Sequence, residues 1–264
     1  MSAGHVTFVG AGPGAPDLLT LRAVRALGAA DIVVWARSLV DEAIVEHARA
    51  GAELVASDER THDDVVAIYA RAARDGLRVA RVHSGDPTLY GTLHEQLGAC
   101  RALGLDTVIV PGVSSLSAAA ASLGQELTIP DVSQSLIITR RAQRTSMPAN
   151  EQLQAMAAHG TTMALCLSVR RPRELQADLI EGGYAPETPA AVVYKASWPD
   201  EIVIRCPLQE LGDQIRAAKI TTQALVLVGP ALGAHSGGQA HVYDPGYGHR
   251  YRPLGRPDRY KNRA

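Results

Sequence analysis

Three short loops rich in glycine, proline and hydroxyl side chains are the segments of this sequence that could bind a ligand. Each follows a short apolar run, and they read Gly-Ala-Gly-Pro-Gly at residues 10–14, Ser-Gly-Asp-Pro at 84–87 and Pro-Gly-Val-Ser-Ser at 111–115. Glycine lets the backbone approach a ligand closely, and aspartate and serine side chains hydrogen-bond polar groups. Ligands of open α/β sheets bind outside the carboxyl ends of the strands, so together the loops predict a small-molecule site.

The first loop also fits the dinucleotide-binding pattern G-x-G-x-x-A, which would indicate an NAD(P)-dependent oxidoreductase. That fold needs an acidic residue at the end of the second strand, whereas here Asp31 opens this strand and Arg37 follows it. Pro13 and Pro16 also remove backbone N–H groups that a helix would direct at a pyrophosphate. NAD(P) is therefore the minority interpretation, beside a tight turn without a ligand and a loop that approaches another ligand.

The other two loops have structural interpretations as well. Aspartate and proline are common in type I turns, so residues 84–87 could be a turn and nothing more. Ser114 or Ser115 is a natural N-cap of the helix that follows. The presence of all three loops at equivalent strand ends is what favours a binding site.

Catalytic motifs are few. The sequence has no G-x-S-x-G, no H-E-x-x-H and no P-loop, and its nine histidines show no metal-ligand spacing, so we expect no metal and assign no catalytic residue. A reaction that needs mainly positioning suits this inventory. Six arginines in two loops of the second half could bind a polycarboxylate or form a solvated charge group: Arg140, Arg141, Arg144, Arg170, Arg171 and Arg173.

Strands and helices alternate along the chain, which predicts an α/β fold with a mostly parallel sheet in the first half. We expect strands at residues 5–9, 31–35, 53–56, 77–83 and 107–110, with helices at 18–23, 39–49, 61–75 and 93–103 between them. The second half adds helices at 115–123, 151–159, 172–181 and 208–219, and strands at 134–139, 161–167, 190–195, 201–205 and 224–228. The third and fourth of these strands predict a hairpin. The predicted domains are residues 1–112 and 113–245, followed by an irregular basic tail at 246–264.

Composition and charge exclude several classes of protein. Apolar residues make up 46% of the 264 residues and charged residues 20%, which is globular composition. The formal charge of -1 divides into +5 on the tail and -6 on the rest, so the body has no basic field for nucleic acid. No apolar run is long enough to span a membrane, no signal peptide is evident, and the three cysteines form no pair motif. We expect a soluble cytoplasmic protein.

Taken together, these segments resemble the tetrapyrrole methylases that use S-adenosylmethionine in cobalamin synthesis. The likeness covers about residues 5–250 and is strongest to the branch that methylates C11 of precorrin-4. The family is matched at residues 9–14, 17–20, 83–91 and 111–115, and the branch at residues 126–130, 132–135, 139–140, 144–148 and 193–201.

The resemblance implies two α/β domains with S-adenosylmethionine in the cleft between them, a precorrin substrate and a homodimer. A cobalt-containing substrate or a paralogous ring position remains an alternative. Within this family, the cofactor would be bound by Pro13, Gly85, Asp86, Pro87, Tyr90, Ser114, Ser115, Leu167 and Ala196. Candidate anchors for the carboxylate arms of the substrate are Arg37, Arg140, Arg144 and Lys195.

Two departures from the family pattern bear on these expectations. Arg37 stands where relatives usually have glycine, which leaves a tetrapyrrole- or cofactor-binding protein without turnover as an alternative. Residues 59–61 read Glu-Arg-Thr where relatives tend to carry a methionine, so the usual contact of that loop is not transferred. The tail begins within the resemblance, so it is either a solvated end or a segment that docks on a partner subunit or the cleft rim.

Overall fold

The first half of the chain forms a parallel five-stranded sheet. The computed structural model describes residues 4–143, 145–234 and 244–253. The strand order is β3-β2-β4-β1-β5, and all of the pairings are parallel. The carboxyl ends of the strands therefore meet at one edge, as the sequence predicts. The strands are β1 His5–Gly10, β2 Ile32–Trp35, β3 Glu53–Ala56, β4 Arg78–His83 and β5 Asp106–Val110.

Helices cover both faces of this first sheet. Val9 and Leu27 belong to the apolar cluster on one face, and Phe8, Tyr69 and Cys100 belong to the cluster on the other. Both clusters exclude water from the strands, which read as continuous apolar runs because both faces are buried. The helices are α1 Leu21–Ala29, α2 Glu42–Val45, α3 His62–Asp75 and α4 Leu93–Ala102.

The ends of these helices show which local signals were informative. Thr61 caps α3 through a reciprocal pair of hydrogen bonds with Asp64, and Gly76 ends it in the left-handed conformation. The prediction of a helix at residues 39–49 was wrong in extent, because α2 has only four residues. Asp41 is its N-cap, so the helix begins later than predicted. After the helix, the Arg49 guanidinium donates to the Ala30 carbonyl oxygen and to the Asp31 carboxylate, and these bonds hold the chain against the start of β2.

The second half forms a mixed sheet with strand order β6-β7-β10-β8-β9. Strands β6 and β7 are parallel and the other pairs are antiparallel, including the predicted hairpin of β8 and β9. The amino end of β10 therefore lies beside the carboxyl ends of β7 and β8. The strands are β6 Leu136–Arg140, β7 Thr162–Cys166, β8 Pro189–Tyr194, β9 Ile202–Pro207 and β10 Ala224–Val228.

Helices lie on both faces of the second sheet too. Ala119 from α5 packs on one face beside Val193 and Leu227, while Leu179 and Ile215 pack on the other. Two predicted helices are shorter than expected. A 3₁₀ turn at Leu208–Glu210 replaces the first residues of the one predicted at 208–219. The one predicted at 151–159 follows a 3₁₀ turn at Ala149–Glu151 and extends only from Leu153 to Ala157. The helices are α5 Ser115–Ser122, α6 Leu153–Ala157, α7 Pro172–Glu181 and α8 Leu211–Ala217.

Two further observations concern the membrane and the tail. Within the residues that the structure describes, no helix combines the length and the apolar character needed to cross a membrane. The described part of the tail, residues 244–253, is largely exposed, and a small bridge joins His249 and Arg252. The predicted domain boundaries at 112 and 245 stay predictions.

Candidate functional site

A cavity of about 470 Å³ lies between the two sheets. The loops at the carboxyl ends of β1, β2 and β4 and the start of α5 form one wall. The segments after β7 and β8 and before β10 form the other. Its volume is in the range of small-molecule sites, which is roughly 300–1,000 Å³. The lining residues from the first half are Pro13, Leu39, Ser84, Leu89, Tyr90 and Ser115. Those from the second half are Cys166, Leu167, Val169, Arg170, Val193, Lys195, Ala196, Trp198 and residues 221–225.

The three glycine-rich loops of the first sheet pack directly on one another. Gly12 and Gly85 exchange two backbone hydrogen bonds, of 3.2 and 2.7 Å. A Cβ on Gly112 would lie 2.2 Å from the carbonyl oxygen of Gly85, and one on Gly10 would lie 2.5 Å from the amide nitrogen of Gly112. Close approach of backbone to backbone is therefore one reason for glycine at these positions.

Asp86 ties the second loop to the third. One carboxylate oxygen accepts the N–H of Gly112 at 2.9 Å, and the other accepts the N–H and the hydroxyl of Thr88 at 2.8 and 2.5 Å. Partial burial works to raise the pKa of Asp86, but these hydrogen bonds outweigh it and hold the pKa below its usual value. Asp86 is therefore an ionised side chain that fixes the second and third glycine-rich loops relative to each other.

A clamp from the second half holds the first glycine loop. The indole N–H of Trp198 donates to the carbonyl oxygen of Pro13 at 2.9 Å, and the Ser197 hydroxyl accepts the N–H of Ala15 at 3.0 Å. A Cβ on Gly14 would lie only 2.2 Å from the Trp198 indole ring. This contact joins the two walls at one side of the cavity.

A second contact between the walls lies at the loop after β2. The Asp58 carboxylate accepts the N–H groups of Arg37 and Ser38, both at 2.9 Å, and the side-chain amide of Gln223 donates to the carbonyl oxygen of Ser38. Burial opposes ionisation of Asp58, but the hydrogen bonds from Ser38 and Arg37 outweigh it and lower the pKa. Asp58 thereby fixes the loop that presents Leu39 to the cavity.

Backbone strain is concentrated around the cavity. Each non-glycine residue with a positive φ costs on the order of 1–3 kcal/mol, and such residues cluster at functional sites. Four cavity-lining residues and one clamp residue have this conformation in the described part of the chain. They are Tyr90, Leu167, Lys195, Ser197 and Gln223, with φ between +47° and +68°.

Large apolar side chains are exposed on both walls. Leu39, Leu89 and Tyr90 are 47%, 40% and 46% exposed on one wall, and Leu167 is 67% exposed on the opposite one. Apolar surface that is grouped in a concave site and open to water indicates a ligand. These side chains suit the flat faces of an organic ligand.

Burial shifts the pKa values of titratable groups in and behind the cavity wall. Burial raises the pKa of the Cys166 thiol to about 11. Burial also raises the pKa of Tyr90, and the Cys166 thiol adds to this effect while the Arg140 guanidinium opposes it. Behind the loop of residues 84–87, burial and the Arg81 charge lower the pKa of His83 to about 3, so this imidazole is neutral at physiological pH.

The cavity contains five of the nine residues predicted to bind the cofactor, namely Pro13, Tyr90, Ser115, Leu167 and Ala196. The other four lie in the loops that shape it. Gly85 and Asp86 connect those loops as described, Pro87 follows them, and the Ser114 side chain caps α5 by accepting the N–H of Leu116 at 3.2 Å. The capping interpretation of Ser114 is therefore confirmed.

The predicted substrate anchors are more dispersed. Lys195 lines the cavity and donates to Asp200 at 2.6 Å. Arg37 is 61% exposed beside Asp58 and is absent from the lining, and Arg140 holds the carbonyl oxygens of its own loop. Arg144 lies outside the described residues.

Sequence reasoning missed part of the second wall. Residues 221–225 carry no recognisable motif, yet the Gln223 carbonyl oxygen accepts the N–H of Lys195 at 2.9 Å because β10 runs antiparallel to β8. Leu39, Leu89 and Trp198 were also missed as lining residues. Only the strand order brings these segments together.

The chemistry that this lining supports is positioning. Among the described lining residues there is no carboxylate and no histidine, and the polar side chains are hydroxyls, the Gln223 amide, the Trp198 indole, the Cys166 thiol and two cations. Nowhere in the described ranges do three or more metal-ligating side chains converge. The NAD(P) interpretation also loses its structural basis. A 3₁₀ turn at Pro16–Leu18 follows the glycine loop, and α1 begins only at Leu21, so no helix N-terminus opens from the loop.

Comparison with known proteins identifies relatives of this arrangement. Residues 5–212 match the family model described as tetrapyrrole (corrin/porphyrin) methylases. The chain is 42% identical over 247 residues to a cobalt-precorrin-4 C(11)-methyltransferase of Methanocaldococcus jannaschii, covering 94% of this chain and 95% of the relative. It is also 42% identical to a precorrin-4 C(11)-methyltransferase of Pseudomonas aeruginosa, covering 94% and 98%.

Solved structures agree with this. The X-ray structure of a cobalt precorrin-4 methyltransferase, a cobalamin biosynthetic enzyme, superposes with a TM-score of 0.84 at 40% identity, covering 86% of this chain and 95% of that one. A uroporphyrin-III C-methyltransferase from Thermus thermophilus, complexed with S-adenyl homocysteine, superposes with a TM-score of 0.74 at 28% identity, covering 87% and 99%.

Proposed function

This chain belongs to the tetrapyrrole (corrin/porphyrin) methylases, and we propose that within this family it methylates C11 of precorrin-4. It is an S-adenosylmethionine-dependent methyltransferase of cobalamin biosynthesis. The observation that carries the proposal is the likeness of about 40% to precorrin-4 methyltransferases over nearly the whole chain, including both walls of the cavity.

The cavity suits the cofactor in size and in chemistry. Its hydroxyls and backbone groups offer hydrogen bonds to a nucleoside and an amino acid, and the exposed Leu167 offers an apolar surface to a purine. We propose that Pro13, Tyr90, Ser115, Leu167 and Ala196 contact the cofactor directly. Gly85, Asp86, Pro87 and Ser114 would act through the shape of the loops, because the Asp86 and Ser114 oxygens already bond to the protein.

In this reaction the protein has to align the two reactants, shield them from water and hold the substrate in place. When bound, S-adenosylmethionine supplies the methyl group, and its sulfur keeps the electron pair of the bond that breaks. The tetrapyrrole supplies the electron pair for the new carbon–carbon bond at C11, and one proton leaves to balance the charge. Alignment of two reactants can contribute roughly 7–11 kcal/mol, which agrees with a lining that carries no acid–base pair.

Four cations are proposed as substrate anchors: Lys195 in the wall, Arg37 and Arg140 near it, and Arg144, which lies outside the described residues. The substrate class carries carboxylate arms, and guanidinium and ammonium groups bind carboxylates by charge-assisted hydrogen bonds. The Arg140 charge opposes the rise of the Tyr90 pKa that burial causes, and this interaction with a cavity-lining residue supports the proposed role of Arg140.

Relatives at equal identity are named for the substrate with cobalt and for the substrate without it. We propose precorrin-4 as the substrate and cobalt-precorrin-4 as the second candidate. Parallel turnover assays with the two macrocycles separate them, since the preferred one gives the higher kcat/KM.

We further propose a cytoplasmic homodimer that does not bind nucleic acid, as the resemblance and the near-neutral charge suggest. Light scattering of the purified full chain tests the dimer. A monomer at working concentration would contradict this part of the proposal and leave the methyltransferase assignment intact.

The experiment that tests the function begins with binding. Isothermal titration of the purified chain with S-adenosylhomocysteine should show one site per chain. Turnover with precorrin-4 and ¹³C-methyl-labelled cofactor should then place one labelled methyl group on C11 by NMR. Failure to bind the cofactor overturns the assignment, and a methyl group on another ring carbon overturns the position.

The binding-protein alternative is tested in the same assay. Arg37 was its motivation, and its guanidinium group pairs with Asp58 at 3.5 Å and is absent from the cavity lining. Turnover by the wild-type chain would eliminate that alternative. Turnover only after Arg37→Gly would support it.

A further inference from the structure

The cavity has an unequal distribution of charge. Its described lining contains two cations, Arg170 and Lys195, and no acidic side chain. A site with this balance attracts anions, and the carboxylate arms of a tetrapyrrole are anions. The two cations differ in whether an acidic side chain of the protein already neutralises their charge.

Lys195 is occupied by the protein. Its ammonium group donates to the Asp200 carboxylate at 2.6 Å and lies 5.1 Å from the centre of the Trp198 ring. An ammonium group held by a carboxylate and an aromatic face has less attraction left for a ligand. Lys195 is therefore the weaker of the two as an anion site.

Arg170 makes no hydrogen bond and no ion pair with any residue among 4–143, 145–234 and 244–253. The arginines next to it in sequence are compensated: Arg171 pairs with Glu174 at 3.4 Å, and Arg173 pairs with Asp213 at 2.8 Å. Of these three arginines, Arg170 alone lines the cavity, and it alone has no acidic partner in these ranges.

The segment that carries Arg170 is well fixed. It leaves β7 through Leu167, whose φ is +54°, and continues through Ser168, which is fully buried. The Ser168 hydroxyl donates to the Cys166 carbonyl oxygen at 2.7 Å and accepts the N–H of Arg141 at 2.9 Å. The backbone position of Arg170 is therefore set before any ligand binds, which lowers the entropy lost on binding.

We propose that Arg170 binds a carboxylate arm of the tetrapyrrole substrate and so helps to set the orientation of the ring toward the methyl donor. The inference rests on the proposed function. A guanidinium group can bind a carboxylate through two parallel hydrogen bonds, which fixes orientation as well as position. Leu39 and Leu89, both exposed on the wall from the first half, supply apolar surface for the ring itself.

The test compares Arg170→Gln with Arg171→Gln as the matched control, since Arg171 is the adjacent arginine and does not line the cavity. Two readouts are independent of turnover: titration with S-adenosylhomocysteine, and fluorescence titration with uroporphyrin III, a macrocycle of the same class with carboxylate arms. The third readout is the pair KM and kcat with precorrin-4.

For Arg170→Gln we expect the KM for precorrin-4 and the Kd for uroporphyrin III to rise about ten- to hundred-fold, the range for a lost hydrogen-bonded ion pair. The Kd for S-adenosylhomocysteine should stay within about two-fold, and Arg170→Lys should lie between wild type and Arg170→Gln. Arg171→Gln should resemble wild type in all three readouts.

Several results would overturn the proposal. Weaker cofactor binding with an unchanged KM for precorrin-4 would assign Arg170 to the cofactor. Equal effects of Arg170→Gln and Arg171→Gln would indicate general charge attraction. If the wild-type chain itself fails to bind the cofactor or to methylate precorrin-4, the proposed function fails. That outcome is distinct from a defect confined to the Arg170 variants.

Discussion

The indole nitrogen of Trp198 lies 2.9 Å from the carbonyl oxygen of Pro13, 185 residues away in sequence. This hydrogen bond connects the segment after β8 to the first glycine loop and closes one side of the cavity. Both residues line the cavity, so the contact that joins its walls is also part of the candidate cofactor site.

Replacing Trp198 by phenylalanine should weaken cofactor binding beyond its effect on stability. The variant leaves the Pro13 carbonyl oxygen without its donor, which costs about 1–2 kcal/mol of unfolding free energy. We expect the Kd for S-adenosylhomocysteine, measured by titration calorimetry, to rise about ten-fold.

Tyr184→Phe is the matched control. Its hydroxyl donates to the Thr161 carbonyl oxygen at 2.5 Å within the apolar cluster of the second sheet, away from the cavity. This variant should lose similar stability and keep the wild-type Kd. Equal changes of Kd in both variants would show that the Trp198 contact has no special role in binding.

Gly112→Ala should disrupt the packing of the three loops. The added Cβ would lie 2.2 Å from the Gly85 carbonyl oxygen and 2.8 Å from Gly10, and both neighbours are backbone atoms that cannot turn aside. We expect a loss of about 3 kcal/mol or more in urea unfolding, together with loss of cofactor binding.

Gly98→Ala separates this steric effect from the general effect of replacing glycine. Gly98 lies inside α4, and a Cβ there meets nothing within 4 Å. This variant should be more stable than wild type by about 0.5–1 kcal/mol, because alanine favours the helix. A neutral Gly112→Ala would contradict the tight loop packing described above.

The alternation of strands and helices, the hairpin and the loop positions were all predictable from the sequence. Local signals sufficed there: Thr61 and Gly76 mark the ends of α3, and apolar runs mark the buried strands. Helices preceded by a turn were predicted too long, because the apolar periodicity of residues 208–219 continues through a 3₁₀ turn that it does not distinguish.

The second wall of the site was less predictable for a topological reason. Residues 221–225 reach the cavity because β10 lies between β7 and β8 and runs opposite to both, and no local pattern reports strand order. The pairing of the arginines could not be predicted from a local pattern either. The sequence groups Arg170 with Arg171 and Arg173, and only the fold shows which ones have acidic partners.

Asp86→Asn should reduce stability in a pH-dependent way. The folded state lowers the pKa of Asp86, so its contribution is fully present above the unfolded value, near 3.9, and is lost as the pH falls through the folded value. We expect the variant to be about 1–2 kcal/mol less stable at pH 7, with the difference shrinking below about pH 4.

Urea unfolding of both proteins from pH 7 to pH 3 measures this. Asp131→Asn is the control, because Asp131 is exposed and has a positive φ that asparagine tolerates. It should follow the wild-type curve throughout. A constant difference between wild type and Asp86→Asn down to pH 3 would contradict the role of the ionised carboxylate.

Alkylation of Cys166 should be slow at neutral pH and sensitive to the cofactor. Burial raises the pKa of this thiol to about 11, so at pH 7 only about one molecule in ten thousand carries the reactive thiolate. The rate of labelling by iodoacetamide, followed by mass spectrometry of the peptides, should rise about ten-fold per pH unit until the pH approaches the pKa.

Because Cys166 lines the cavity, saturating S-adenosylhomocysteine should suppress its labelling. Cys100 is fully buried and provides an internal control that stays unlabelled in the native chain. Rapid labelling of Cys166 at pH 7, or a labelling rate that S-adenosylhomocysteine does not change, would contradict this description of the cavity.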